Sequence, residues 1–185
     1  MLLMVIAGTE MAKGQGENII IETTSVKFFG VDFSEVKVYG AKESPAQLLQ
    51  AFEDINRLFL SEPDKYNFEK LLNRRVSAVS IKAANSVIDY IDREDLIIED
   101  SSYRLDDATI AEVVKFLPVD KEEGVGVVMV AEMLDKTVGQ GFYVVVYFSL
   151  ENKEILGSFR ASGKAGGFGL RNYWANTIYN ILRKR

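Results

Sequence analysis

Three β-rich runs, 125–134, 142–150 and 155–161, succeed one another in the last third of the chain with only short turn segments between them. No crossover helix fits into such gaps, so the runs predict an antiparallel meander. Residues 135–141 carry turn chemistry, and Asn152 in the second gap tolerates left-handed φ. Period-two alternation gives the middle strand one wholly apolar face, Phe142, Val144, Val146, Phe148 and Leu150, and a second face of Tyr143, Val145, Tyr147 and Ser149. In the third run Ile155, Gly157, Phe159 and Ala161 oppose Leu156, Ser158, Arg160 and Ser162. The apolar face is expected beneath helices. The second face, with its tyrosine hydroxyls and the Arg160 guanidinium, is expected to be partly wet.

The chain after the meander limits the fold further. Residues 162–169 hold Gly163, Gly166, Gly167 and Gly169 with Lys164 among them. A helical pattern then places Leu170, Trp174, Ile178, Ile181 and Leu182 on one face and ends in Arg183, Lys184 and Arg185, cations that suit the negative end of a helix dipole.

Upstream, Ile19–Ile21, 26–33 and 36–40 read as strand. Ser44 and Gln47 form a capping box and Pro45 sits at the first helical position, starting a helix with Leu48, Phe52, Ile55 and Phe59 inward and ending by Pro63. Next come a short helix over 66–72, a strand over 76–81 running into a helical pattern to Ile91, and a short apolar run at 96–98. Asp106 or Asp107 caps a helix with Ile110, Val113, Val114 and Leu117 on its inner face, stopped by Pro118. These elements predict one α/β (α+β) domain over 15–185. Its mixed sheet has a C-terminal antiparallel meander covered by helices, in a sandwich-like arrangement.

Composition removes whole chemistries. Among the 185 residues there is no histidine and no cysteine, so His-based triads, thiol catalysis, disulfides, the usual zinc sites and a lipid-anchor cysteine are excluded. Acid–base work falls to Asp, Glu, Lys or Tyr. The net charge of -5 argues against a general nucleic-acid binder. Neither metal nor cofactor is expected, because the acidic run around Asp92, Glu94 and Asp95 lacks calcium-loop spacing and reads as a solvated face.

At the N-terminus, Met1-Leu2-Leu3-Met4-Val5-Ile6-Ala7-Gly8 has the character of the end of a signal-peptide apolar region, with small residues at Ala12 and Gly14. Residues 1–14 are accordingly expected to be a truncated signal peptide and the protein periplasmic or secreted, the other reading being a buried strand or a frayed tail. No apolar stretch reaches the roughly 20 residues of a membrane span.

Two places could carry chemistry. The glycine segment either bends and packs the chain or offers amides, with Lys164, Gly166, Gly167 and Arg171, to a small anionic ligand. Its spacing matches neither a P-loop nor a dinucleotide fingerprint. Glu132, inside an apolar strand, is either paired with Arg160 on a neighbouring strand or turned to water. No catalytic residue is assigned. Tyr173, Trp174 and Tyr179 are expected in core packing rather than as a sugar platform.

The segments 36–44, 55–59 and 163–175 resemble recurring stretches of uncharacterised exported proteins of anaerobic gut bacteria. The closing third, from Gly124 through the terminal helix, resembles the domain shared by the curli-secretion channel lipoprotein, the penicillin-binding-protein activator lipoprotein and the amino-terminal domain of the Tol-system β-propeller protein. That resemblance implies an α/β sandwich and a non-enzymatic accessory role. The expected function is an exported cell-envelope protein acting through protein contacts, on the polar meander face and the edge of the last helix. The alternative is the anionic-ligand binder.

Overall fold

The structure is a computed structural model and describes residues 22–184. The signal-peptide expectation over 1–14 and the strand expected at Ile19–Ile21 lie outside the described residues.

A seven-stranded sheet is organised around β5 (Val125–Asp135). Two strands share one edge of β5. β1 (Ser25–Asp32) pairs with residues 126–130, and β2 (Lys37–Tyr39) pairs with residues 133–135, both parallel. β3 (Arg75–Val79) extends the sheet beyond β1 and β4 (Ile97–Ile98) beyond β2, again parallel. On the other edge, β6 (Gln140–Ser149) pairs antiparallel with β5, and β7 (Ile155–Lys164) pairs antiparallel with β6. The fold is therefore mixed α/β with a mostly parallel sheet, and antiparallel pairing is confined to β5, β6 and β7. The helix-bearing connections before β5 are long enough for parallel crossovers, and the turns after it are not.

Helices cover both faces. On one lie α1 (Pro45–Ser61), α2 (Glu69–Leu72) and α5 (Leu170–Arg183); on the other lies α4 (Asp107–Phe116). α1 starts where the sequence places it, with Ser44 and Gln47 closing the capping box and Pro45 in the first turn. It buries Leu48, Phe52, Ile55 and Phe59, and Phe52 stacks on Phe33 at 4.3 Å between ring centroids. Each such side chain removed from water contributes about 1.5–3 kcal/mol. α4 is capped by Asp106, which accepts from the Thr109 amide at 2.7 Å.

The apolar face of β6 lies beneath a helix as expected, but the tyrosine face is not wet. Tyr143 and Tyr147 lie under the larger helical layer, buried, while Val144, Val146 and Phe148 meet α4. The phenols tolerate this because each finds an internal partner. The Tyr143 hydroxyl is 2.6 Å from Thr177 Oγ1, and Tyr147 donates to the Leu72 carbonyl at 3.0 Å. Arg160 is not on the tyrosine face: it pairs in register with Val144, on the α4 side. A bulge opposite Tyr147 and Phe148 turns Leu156 to the tyrosine side and Ile155 to the other. A contact surface on the tyrosine face is therefore ruled out, since α5 covers it.

Local details differ as well, the helix expected over 66–72 forming only at Glu69–Leu72. The helical pattern before Ile91 is broken into α3 (Lys82–Ser86) and a 3-10 turn at Ile88–Tyr90. β7 runs on to Lys164, so the first glycine of the glycine segment lies in the strand. In the β6–β7 turn Lys153, not Asn152, takes the left-handed conformation, with φ 64.

Candidate functional site

The glycine segment is a packing corner. A Cβ on Gly163 would lie 1.9 Å from the Thr177 carbonyl oxygen, so β7 and α5 approach this closely only because that residue has no side chain. Gly167 turns the chain at φ 95. The Gly166 amide donates to the Tyr173 carbonyl at 3.1 Å, and the Lys164 carbonyl accepts from Asn180 Nδ2 at 2.8 Å. Arg171 donates from Nε to Asn172 Oδ1. Among the described residues no hydrogen bond or ion pair joins Lys164 to Arg171. Trp174 is fully buried, and Tyr179 packs edge-on against Tyr66.

Glu132 and Arg160 are brought together. Glu132 is the extra residue of a bulge in β5, opposite Tyr143 and Phe142, and is 1% exposed. Its Oε1 accepts from Arg160 Nη2 at 3.2 Å and from the Leu105 amide at 3.1 Å. Its Oε2 accepts from Arg104 Nη1 at 2.9 Å, a second arginine that nothing in the sequence connects to it. No group of three or more acidic side chains among the described residues is arranged to hold a metal ion.

The most site-like feature is one that the sequence does not mark. β1 bulges between Phe28 and Val31, where Gly30 takes φ 85. Asn56 of α1, fully buried, closes this irregularity. Its Oδ1 accepts from the Val31 amide at 2.8 Å, and its Nδ2 donates to the Val31 carbonyl at 2.9 Å and to Asn85 Oδ1 at 2.8 Å. A side chain at residue 30 would collide with Asn56 Oδ1 at 2.9 Å. The network ties α1, β1 and α3 together and fixes the residue after Val31, which is Asp32.

Asp32 ends β1 and is 1% exposed. Both hydrogen bonds it receives fall on Oδ1, from the Ser34 amide at 2.8 Å and the Ser34 hydroxyl at 2.6 Å. Among the described residues nothing donates to Oδ2. Asp32 lines a cavity of about 670 Å³ together with Ser34, Glu35, Ser86, Val87 and, from α4 and its end, Glu112, Val113 and Leu117. That volume lies in the range of small-ligand sites, roughly 300–1,000 Å³. Its walls are the turn after β1, the end of α3 with the following 3-10 turn, and α4, at the C-terminal end of the parallel strand β1, the kind of place where α/β sheets hold ligands.

The charge of the cavity is one-sided. Asp32, Glu35 and Glu112 line it, and no lysine or arginine does. Burial pushes the Asp32 carboxyl above the usual range and the nearby Glu35 adds to the shift, while the Ser34 hydrogen bonds oppose it. Tyr90 and Phe116 stand at the rim, 87% and 70% exposed. A hydrogen bond links it to a neighbouring cavity: Tyr103, which lines that one, donates from its hydroxyl to the Glu35 carbonyl at 3.2 Å. Burial and then the surrounding carboxylates, Glu35 first, push the Tyr103 phenol up to about 12.

No protein-family model matches the chain, and no curated protein matches it.

Proposed function

We propose that this protein is a non-enzymatic recognition domain whose Asp32 cavity receives the cationic end, ammonium or guanidinium, of a basic side chain on a protein partner. The observation that carries the reading is Asp32 Oδ2: on a side chain only 1% exposed, it receives no hydrogen bond from the described residues and opens onto a cavity lined by three carboxylates and no cation. A charged donor placed there supplies the missing hydrogen bond and draws the proton equilibrium of Asp32 toward the carboxylate. Tyr90 and Phe116 at the rim suit the apolar stem of lysine or arginine, and the Tyr90 ring face attracts the cation, the Phe116 ring already carrying Lys115 Nζ at 5.4 Å from its centroid. Aromatic side chains, tyrosine among them, are also enriched among the anchors of protein interfaces. Recognition rather than turnover is favoured because the chain has neither histidine nor cysteine to work beside the acid.

The same reading takes the protein as exported and acting at the cell envelope, supported by the apolar run at Met1–Gly8. Sequencing the N-terminus of the mature protein in its native host tests that part separately. The binding part is tested by thermal shift with butylguanidinium and butylamine against butyrate. The cations raise the melting temperature, butyrate does not, and Asp32→Asn abolishes the rise. Equal shifts for all three compounds refute it.

A further inference from the structure

The neighbouring cavity, about 280 Å³ in volume, differs in chemistry from the first. Arg104 lines it with Ser101, Ser102, Tyr103 and Phe142, beside the buried Glu132. Two guanidiniums, those of Arg104 and Arg160, meet the single carboxylate of Glu132, an excess of one positive charge within this cluster, while Glu35, Asp95 and Asp106 lie near Tyr103. Arg160 is held by its Nε and Nη2, which both reach Glu132 Oε1, and by Nη2 to the Leu105 carbonyl at 2.6 Å. Arg104 is held only through Nη1. Its Nε and Nη2, the side-on fork that grips a carboxylate or phosphate with two parallel hydrogen bonds, have no acceptor among the described residues. The guanidinium carbon sits 5.9 Å from the Phe142 ring centroid, which further restricts its orientation.

A buried carboxylate is not the obvious stabilising choice here, because an apolar side chain of similar size usually serves as well. Its evident effect is to fix two arginines that are themselves half-exposed, at 61% and 46%. The nearby acids do not compete for the fork. Asp100 accepts from the Ser102 amide and hydroxyl, and Asp106 caps α4.

We propose that this cavity is a second binding site, for the oxyanion of a carboxylate or phosphate group. Arg104 contacts the anion through Nε and Nη2, the Ser101 hydroxyl stands beside it, and Glu132 is the positioning residue that holds Arg104. This second site is independent of the Asp32 cavity. Their linings share no residue and differ in charge, three acids in the first against Arg104 and Glu132 in the second, and the Glu35–Tyr103 hydrogen bond links them.

The test is a titration of the ¹⁵N-labelled protein with sodium phosphate and, separately, sodium acetate, with sodium chloride as control at matched ionic strength. Saturable amide shifts are expected at residues 101–105, 133 and 142 with phosphate, acetate or both, and the arm that saturates identifies the group bound. Arg104→Met should weaken that binding at least about tenfold and Arg104→Lys, which keeps the charge but loses the fork, nearly as much. Asp32→Asn should leave it unchanged, so the two sites fail or stand independently. Arg104 is exposed enough for its variants to fold, and circular dichroism verifies that they have. Shifts that match those of chloride, or that survive in Arg104→Met, overturn the proposal.

Discussion

Asn56 holds Val31 by both its backbone groups, accepting from its amide at 2.8 Å and donating to its carbonyl at 2.9 Å. A helix side chain thus bonds both backbone groups of Val31, in register with β5 but beyond the last β1–β3 pair at Phe28, and the next residue, Asp32, inherits a fixed direction. Asn56→Leu removes the partner of a buried amide and a buried carbonyl and leaves Asn85 without its donor. The expected cost is about 2–4 kcal/mol, because each orphaned buried group loses roughly 1–3 kcal/mol. Urea denaturation measures it, and a change below about 1 kcal/mol would show that the bulge does not need this side chain.

The packing role of the glycine segment separates its residues sharply. Gly163→Ala drives a methyl group into the Thr177 carbonyl and is expected to destabilise by more than about 3 kcal/mol. Gly167→Ala, at φ 95, should cost about 1–2 kcal/mol. Lys164→Ala should stay within about 0.5 kcal/mol of wild type. Thermal or urea unfolding of the three variants ranks them directly.

Asp32 sets a pH signature. Its carboxyl is raised above the ordinary value by burial, so the folded state holds its proton more tightly than the unfolded chain does. The stability this contributes is fully present below the ordinary carboxylate pKa and is lost as pH rises through the raised value. Asp32→Asn retains an oxygen for the Ser34 donors but cannot ionise. Its melting temperature relative to wild type is therefore expected to be higher at pH 7 than at pH 4. A relative stability that is flat across that range would mean that Asp32 is not held protonated by its surroundings.

Glu132→Gln tests the arginine clamp. The variant keeps acceptor geometry for the Leu105 amide but removes the charge that holds Arg104 and Arg160. Because both arginines reach solvent they rehydrate in part, and the expected loss is about 1–3 kcal/mol rather than the larger penalty of a fully buried pair. A double-mutant cycle with Arg160→Met gives the share due to that pair.

The sequence made some of this readable and hid the rest for identifiable reasons. The capping box at Ser44 and Gln47, the Asp106 cap and the apolar stripe of α5 were legible because local chemistry decides them. So was the pairing of Glu132 with Arg160, a carboxylate in an apolar strand near a strand carrying a cation. The tyrosine face of β6 was misread because its hydroxyls are satisfied by Thr177 and Leu72, 34 and 75 residues away in the chain. The Asp32 cavity was invisible for a similar reason. Asp32 closes an ordinary apolar strand, and its isolation depends on a bulge, on Asn56 from another element and on α4 crossing the opposite face. The one local hint was Gly30 inside a strand, a residue that marks bulges.

The central claim is that Asp32 waits for a cation. The most direct measurement is a titration of the ¹⁵N-labelled protein with butylguanidinium, comparing wild type with Asp32→Asn. The account predicts saturable shifts in wild type at residues 32–35, 86–90 and 112–117, and none there in the variant. Shifts scattered over the acidic surface, or an identical response in Asp32→Asn, would contradict it.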